Sequence, residues 1–279
     1  MRRTATLLLP LALAACRSDP RAAAPAEEPL DAGFPRLALL DGDRVLTDFE
    51  IVDLGHPLNA RGAHWPGRDY FPFRHRTLAR LDPDGVYSGA YETPEHLGTH
   101  VDAPNHFEAD QPSVDRIEPR SLLGPAAVLD VSAAAVRDRD YRLSVADVRA
   151  WEQAHGTIPP GAVVLLRTGW SARFYDPKAY SGEDADGRLH FPAFSREAAA
   201  LLVRERRVIG LGVDTLSVDH GPSDDYPVHH VGNAAGRWFL ENLTNLDRLP
   251  ARGAFLVVAP IKIEGGSGGQ ARVFALLPR

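Results

Sequence analysis

The chain reads as a single α/β domain built on a mixed sheet. Three short apolar runs, at residues 126–131, 162–167 and 208–214, have the length and β-branched content of buried strands. Two helix-like segments with Ser caps lie between them, opening at Ser144 and Ser195. Strands interleaved with two or three helices argue for an α/β layer structure.

The elements follow in order. Residues 49–54 alternate apolar and polar and predict an opening strand. Residues 56–73 are loop-like, rich in Pro and Gly, and carry Trp65, Tyr70, Phe71 and Phe73 as a candidate pocket wall. A strand over 86–91 leads into a histidine-rich stretch. After the run at 126–131, Ser144 opens a helix with Asp147 three residues on, and Gly156 closes it after His155. Residues 171–192 read as a polar, aromatic-containing insertion, and Ser195 starts a helix running to Arg206. Residues 232–240 are compatible with a helix weakened by Gly232 and Gly236. Two strands, 254–263 and 272–277, end the chain.

Composition narrows the function classes. With 44% hydrophobic and 24% charged residues in 279, the chain is ordinary for a soluble globular protein. The formal charge of −6 becomes −8 without Arg2 and Arg3, and no basic patch points to a nucleic-acid partner. Arg2 and Arg3 precede an apolar segment, Leu7 to Ala12, too short to span a bilayer. The sequence Leu13-Ala14-Ala15-Cys16 resembles a bacterial lipoprotein cleavage box, and Cys16 is the only cysteine, so no intrachain disulfide can form. The expectation is a leader over 1–16, a lipid anchor at Cys16 facing the periplasm or cell exterior, a tether over 17–36 reaching roughly 25 Å, and a domain over 37–279.

The chemistry concentrates at residues 95–107, Glu-His-Leu-Gly-Thr-His-Val-Asp-Ala-Pro-Asn-His-Phe. His96, His100, Asp102 and His106 share parity, so an extended chain points them one way, whereas a helix would set Asp102 opposite His96. A straight strand would hold His96 and His100 about 13 Å apart at 3.3 Å per residue. Bends at Gly98 and Pro104 are therefore expected to gather the four side chains around one point. Imidazole and carboxylate donors without thiolate suit a divalent ion such as zinc or manganese, and a carboxylate between imidazoles can bridge two ions. Ordinary loop histidines are the competing interpretation.

The spacing His-x-Gly-Thr-His-x-Asp-x-Pro-x-His over 96–106 resembles the signature of the cyclase family of metal-dependent hydrolases, which includes bacterial kynurenine formamidase and isatin hydrolase. The similarity also takes in residues 53–58, 65–67 and 261–266. It implies a swivelling β/β/α fold, a tendency to homo-oligomers, and hydrolysis of a small, aryl-linked amide in the manner of an arylformamidase. Isatin-type or lactone ring opening is the alternative, since tryptophan catabolism is intracellular and this chain has the marks of export. A non-catalytic exported metal-binding or ligand-binding lipoprotein is the alternative of another class. In the family's second motif a histidine precedes a glutamate by twelve positions, as His229 precedes Glu241. By that likeness Glu241 is expected as a metal ligand and His229 as the catalytic acid/base, with adjacent His230 the alternative. One ion is expected at His96, His100 and Asp102, and a second among Asp102, His106 and Glu241.

A rival pattern, Gly265-Gly266-Ser267-Gly268-Gly269, fits the Gly-x-Ser-x-Gly of a nucleophile elbow. That motif needs a helix after it and a histidine later in the chain. A strand follows, and no histidine lies beyond His230, so the stretch reads as a flexible glycine loop bordering the pocket. His56, His64, His75, His155, His190 and His220 have no ligand-like partner at short spacing and are expected to be mainly surface or structural.

Overall fold

Strands made of continuous apolar runs need cover on both faces, and the architecture supplies it with a closed sheet inside and helices outside. The computed structural model describes residues 48–279; the leader and tether expected over 1–36 lie outside the described residues. In chain order the strands are β1 (Phe49–Asp53), β2 (Arg74–Ala79), β3 (Ser88–Glu92), β4 (His100–Asp102), β5 (Leu123–Asp130), β6 (Arg142–Leu143), β7 (Val163–Arg167), β8 (Ala193–Phe194), β9 (Gly210–Val213), β10 (Trp238–Glu241), β11 (Arg252–Pro260) and β12 (Gly268–Pro278). The helices of five or more residues are α1 (Ser132–Arg137), α2 (Val145–His155), α3 (Pro177–Ser181), α4 (Arg196–Ala200, continued by a π turn over Leu201–Glu205) and α5 (Pro227–Asn233). No helix among the described residues is long and apolar enough to cross a membrane.

The main sheet runs β1-β12-β11-β5-β7-β9-β10-β4, and β4 pairs back onto β12. Seven strands thus close into a barrel, with β1 sharing an edge of β12 beyond its pairing with β4. β5, β7, β9 and β10 are mutually parallel, whereas β4, β11 and β12 join antiparallel. This is the mixed sheet of the expected fold class.

Alternation along the strands separates two cores. Ala126, Val128, Val163, Leu165, Trp238 and Leu240 belong to one buried cluster with Val101, Leu256 and Ala275. Their sequence neighbours Ala127, Leu129, Val164, Leu166 and Phe239 belong to another, with Val148, Trp151, Leu202 and Val228 from the helices. Successive strand residues face opposite ways, so the first cluster fills the barrel and the second lies between barrel and helices. α2 forms as expected: Ser144 accepts from the Asp147 amide and Asp147 answers in a capping box. Ser195 caps α4 through the Ala198 amide.

Three expectations are corrected or refined. Residues 232–240 are not one helix: α5 stops at Asn233, a turn with Gly236 at φ +68 follows, and β10 begins at Trp238. The 171–192 segment, expected as a polar, aromatic-containing insertion, carries a core of its own, in which Phe174, Tyr180, Leu189 and Phe191 bury themselves with Trp170. Finally, Gly268 and Gly269 are strand residues paired to Asp102 and Val101, so the glycine stretch is tied into the barrel.

Candidate metal centre

Backbone geometry gathers the 96–106 segment where the bends were expected. Gly98 takes φ +65, a left-handed conformation open to glycine without steric cost. β4 then carries His100 and Asp102 two residues apart, on one face. Pro104 opens the 3-10 turn Pro104–His106, which returns His106 to stack on His96 at 3.9 Å between ring centroids.

The remaining groups come from far along the chain. Glu241 lies opposite His100 in the β10–β4 register, and directly opposed side chains sit about 4.5–5.5 Å apart at Cβ. His229 comes from the first turn of α5, which is anchored by the buried Asp219. Asp219 accepts from the Val228 amide (2.8 Å), the His229 amide (3.0 Å) and His229 Nδ1 (2.7 Å), satisfying helix-start donors that have no partner within the helix. His230 is exposed and reaches Glu108 instead, so of the two adjacent histidines His229 faces the centre.

Asp102 is the hub. Its Oδ1 lies 2.6 Å from His96 Nδ1 and 3.0 Å from His100 Nε2, and its Oδ2 lies 3.3 Å from His229 Nε2. Glu241 stands 3.5 Å from His100 Nε2 and 3.6 Å from His229 Nε2. Two donor sets result, His96 with Asp102 and His106, and His100 with Asp102 and Glu241, each having its ligand atoms within 4.8 Å of one another. The expected partition is thereby corrected. His100 pairs with Glu241 because strand register sets them side by side, and His96 pairs with His106 because the two turns stack their rings.

These residues fit divalent cations. His100 Nδ1 bonds to the Gly98 carbonyl (2.8 Å), so in the neutral ring the proton sits there and Nε2 presents a lone pair. That buried Nε2 has no hydrogen-bond partner and faces two carboxylates. Buried acceptors crowding together without donors are costly unless a cation joins them.

Without a cation, the electrostatics show the same crowding. Burial drives the Glu241 carboxyl up, the Asp102 charge adds to it, and it titrates at about 8. Burial opposes charge on Asp102 too, but His100 and His96 hold it well below the usual carboxylate range. Burial would lower His100 and His229, yet Asp102 and Glu241 raise the first to about 9, and Asp102, Asp219 and Glu241 raise the second to about 10. His106, buried and nearer to imidazoles, is pushed down to about 3.

An open cavity lies over the centre. Trp65, Tyr70, Phe107 and Tyr226 form its aromatic wall, with Leu216 and His64. The candidate wall on 56–73 is therefore half right: Phe71 instead lies under the Arg74 guanidinium and Phe73 stacks on Tyr91. Of the leftover histidines, His64 lines the cavity, His56 stacks on Phe174 at 3.8 Å, and His190 bridges Asp140 and Asp184. Sequence reasoning missed Asp219 and Ser267, which touch the site histidines, and Glu95, which holds the Ser267 hydroxyl. The one signal in the chain was Ser267 inside a conspicuous glycine run.

Comparison with known proteins agrees with this picture. The Cyclase family model matches residues 52–220. Isatin hydrolase from Roseibium aggregatum is 34% identical over 193 residues, covering 66% of this chain and 73% of that protein. Kynurenine formamidase from Sphingopyxis alaskensis is 30% identical over 225 residues, covering 80% and 95%. Among solved structures, isatin hydrolase A from Ralstonia solanacearum superposes with a TM-score of 0.78 at 40% identity, covering 82% of this chain and 92% of that one.

Proposed function

This chain belongs to the Cyclase family of hydrolases, and from that premise we propose that it is a metal-dependent hydrolase opening the carbon–nitrogen bond of a small aryl amide, with an isatin-type cyclic amide as the favoured substrate. The observation that carries the proposal is the cage of buried His100, Asp102 and Glu241 with half-buried His96 and His106, beneath an aromatic-walled cavity. Relatives named isatin hydrolase share 34% and 40% identity with the chain, against 30% for a kynurenine formamidase. That ordering moves the expected arylformamidase to second place. It stays there because the match spans 95% of that relative.

The five cage residues supply donors for one or two divalent ions, which when bound polarise a carbonyl and lower the pKa of water toward about 7. Trp65, Phe107 and Tyr226 present faces and edges against which an aryl ring packs. Such pairs are worth about 0.5–1.5 kcal/mol beyond their buried area. In the reaction a water oxygen bonds to the carbonyl carbon, the carbon–nitrogen bond breaks, and a proton passes to nitrogen, giving a carboxylate and a free amine. His229 is the group for that proton: Asp219 holds Nδ1, and Nε2 points to the cage at the cavity floor. A positioned acid/base of this kind contributes typically 10²–10⁴-fold.

The test is turnover by the metal-loaded protein of isatin, N-formylkynurenine and a small lactone, followed by ultraviolet absorbance. Isatin opening fastest supports the proposal; metal uptake with no turnover of any of the three supports a binding protein instead. We also propose, from the leader, that the protein is lipidated at Cys16 and works outside the cytoplasm. Labelling with a radioactive fatty acid that disappears in Cys16→Ser supports this, and unlabelled wild type refutes it.

A further inference from the structure

The glycine stretch that imitates a nucleophile elbow touches the candidate metal centre in another way. Ser267 Oγ lies 2.8 Å from His96 Nε2 and donates to Glu95 Oε2 at 2.7 Å. Glu95 Oε2 also accepts the Ser267 amide at 2.8 Å, so the hydroxyl's only proton is directed at the carboxylate. What remains on Oγ toward His96 is a lone pair, and it accepts a hydrogen only if the imidazole carries its proton on Nε2. In the neutral ring Nδ1, the nitrogen facing Asp102 at 2.6 Å, is then left with a free lone pair for a cation.

The loop is built for this approach. A Cβ on Gly268 would stand 2.7 Å from His96 Cε1 and 2.6 Å from the Val101 carbonyl oxygen, so only glycine lets the strand pass so close to the ring. The loop is also held from both sides, the Val114 amide bonding to the Gly266 carbonyl and the Ala103 amide to that of Ser267. Ser267 is thus fixed relative to β4 and cannot drift from His96.

The two donor sets differ in this respect. His100 takes its tautomer from the Gly98 carbonyl, a backbone group that no side-chain substitution removes. His96 depends on the hydroxyl of Ser267, 171 residues away in the chain, which is held in turn by the carboxylate of its own neighbour Glu95. Resting on the reading of the cage as a metal centre, we propose that Ser267 and Glu95 are positioning residues that fix the His96 tautomer and thereby govern occupancy of the His96–Asp102–His106 set alone. Partners of this kind orient metal-bound imidazoles, and their loss typically costs about 10- to 100-fold in metal affinity.

The test uses cadmium ion on the full domain, read by cadmium-113 NMR and by competition with a chelator. His106→Ala and Glu241→Ala assign the resonance of each set. In Ser267→Ala the affinity of the His96–His106 resonance should fall about 10- to 100-fold while the His100–Glu241 resonance keeps its affinity. Ser267→Thr, which retains the hydroxyl, should restore it, and Glu95→Ala should weaken the same set. Equal weakening of both sets, no weakening of either, or a single wild-type resonance overturns the proposal. Wild type that binds no cadmium overturns the metal-centre reading itself.

Discussion

Replacing His229 by Ala separates proton transfer from metal binding. The imidazole is buried, its Nδ1 bound to Asp219 at 2.7 Å and its Nε2 3.3 Å from Asp102, but it belongs to neither three-donor set. Removing it takes away two hydrogen bonds to charged groups, each worth about 1.5–3 kcal/mol. Asp219 keeps the Val228 and residue-229 amides as partners. Against a typical stability of about 5–15 kcal/mol the domain should remain folded, and His229→Gln, which fills more of the volume, serves as a control. The lost acid/base should cost about 10²–10⁴ in kcat, equivalent to about 2.7–5.5 kcal/mol of barrier. The assay is isatin hydrolysis by ultraviolet absorbance, with metal content measured on the same sample. Activity within five-fold of wild type, or loss of metal together with activity, would refute the role given to His229.

Other outcomes follow from the same geometry. Asp219→Asn should lower kcat about 10- to 100-fold with little change in KM, since it disturbs the orientation of His229 and leaves the aromatic wall intact; a change confined to KM would count against this. Trp65→Ala or Tyr226→Ala should raise KM for an aryl substrate about 2- to 12-fold, the worth of one ring contact, and leave an acyclic aliphatic amide unaffected. His190 sits between Asp140 and Asp184 at 2.8 and 3.1 Å; burial opposes its charge, but the two carboxylates raise its pKa above 6.5 in the fold. A raised histidine pKa stabilises the fold fully below about pH 6.5, and that stability is lost as pH rises through the folded value. Protection of the amides in residues 171–192, taken as the exchange rate relative to the intrinsic rate at the same pH, should therefore fall about two- to five-fold between pH 6 and 9, the worth of an exposed pair. In His190→Gln the dependence should vanish; an unchanged profile there would show that another group is responsible.

How far the site could be read in advance depended on how local each contact is. The shared parity of His96, His100, Asp102 and His106, with Gly98 and Pro104 between them, is local, and the bends fall there. Glu241 was reached only by family spacing, and the helix expected just before it, over 232–240, gives way to β10, where Trp238 and Leu240 face into the barrel and Phe239 faces out. Which donors fall into one three-residue set was not legible, since the β10–β4 register alone seats Glu241 beside His100. Asp219, Glu95 and Ser267 act through tertiary contacts spanning up to 172 residues. Of the fold, the buried strands and Ser caps were plain from apolar runs and capping chemistry. The β2–β3 hairpin was half missed, because Arg74-His75-Arg76-Thr77 lacks a core-facing apolar alternation and its strands pair only with each other.

The account stands on a cation-binding cage centred on Asp102. Anomalous diffraction from crystals soaked in zinc or manganese tests it most directly. The predicted result is density ligated by Asp102 together with His100 and Glu241, with a second site at His96 and His106. Ions found only elsewhere, or a cage that stays empty at saturating metal while the protein still hydrolyses its substrate, would contradict it.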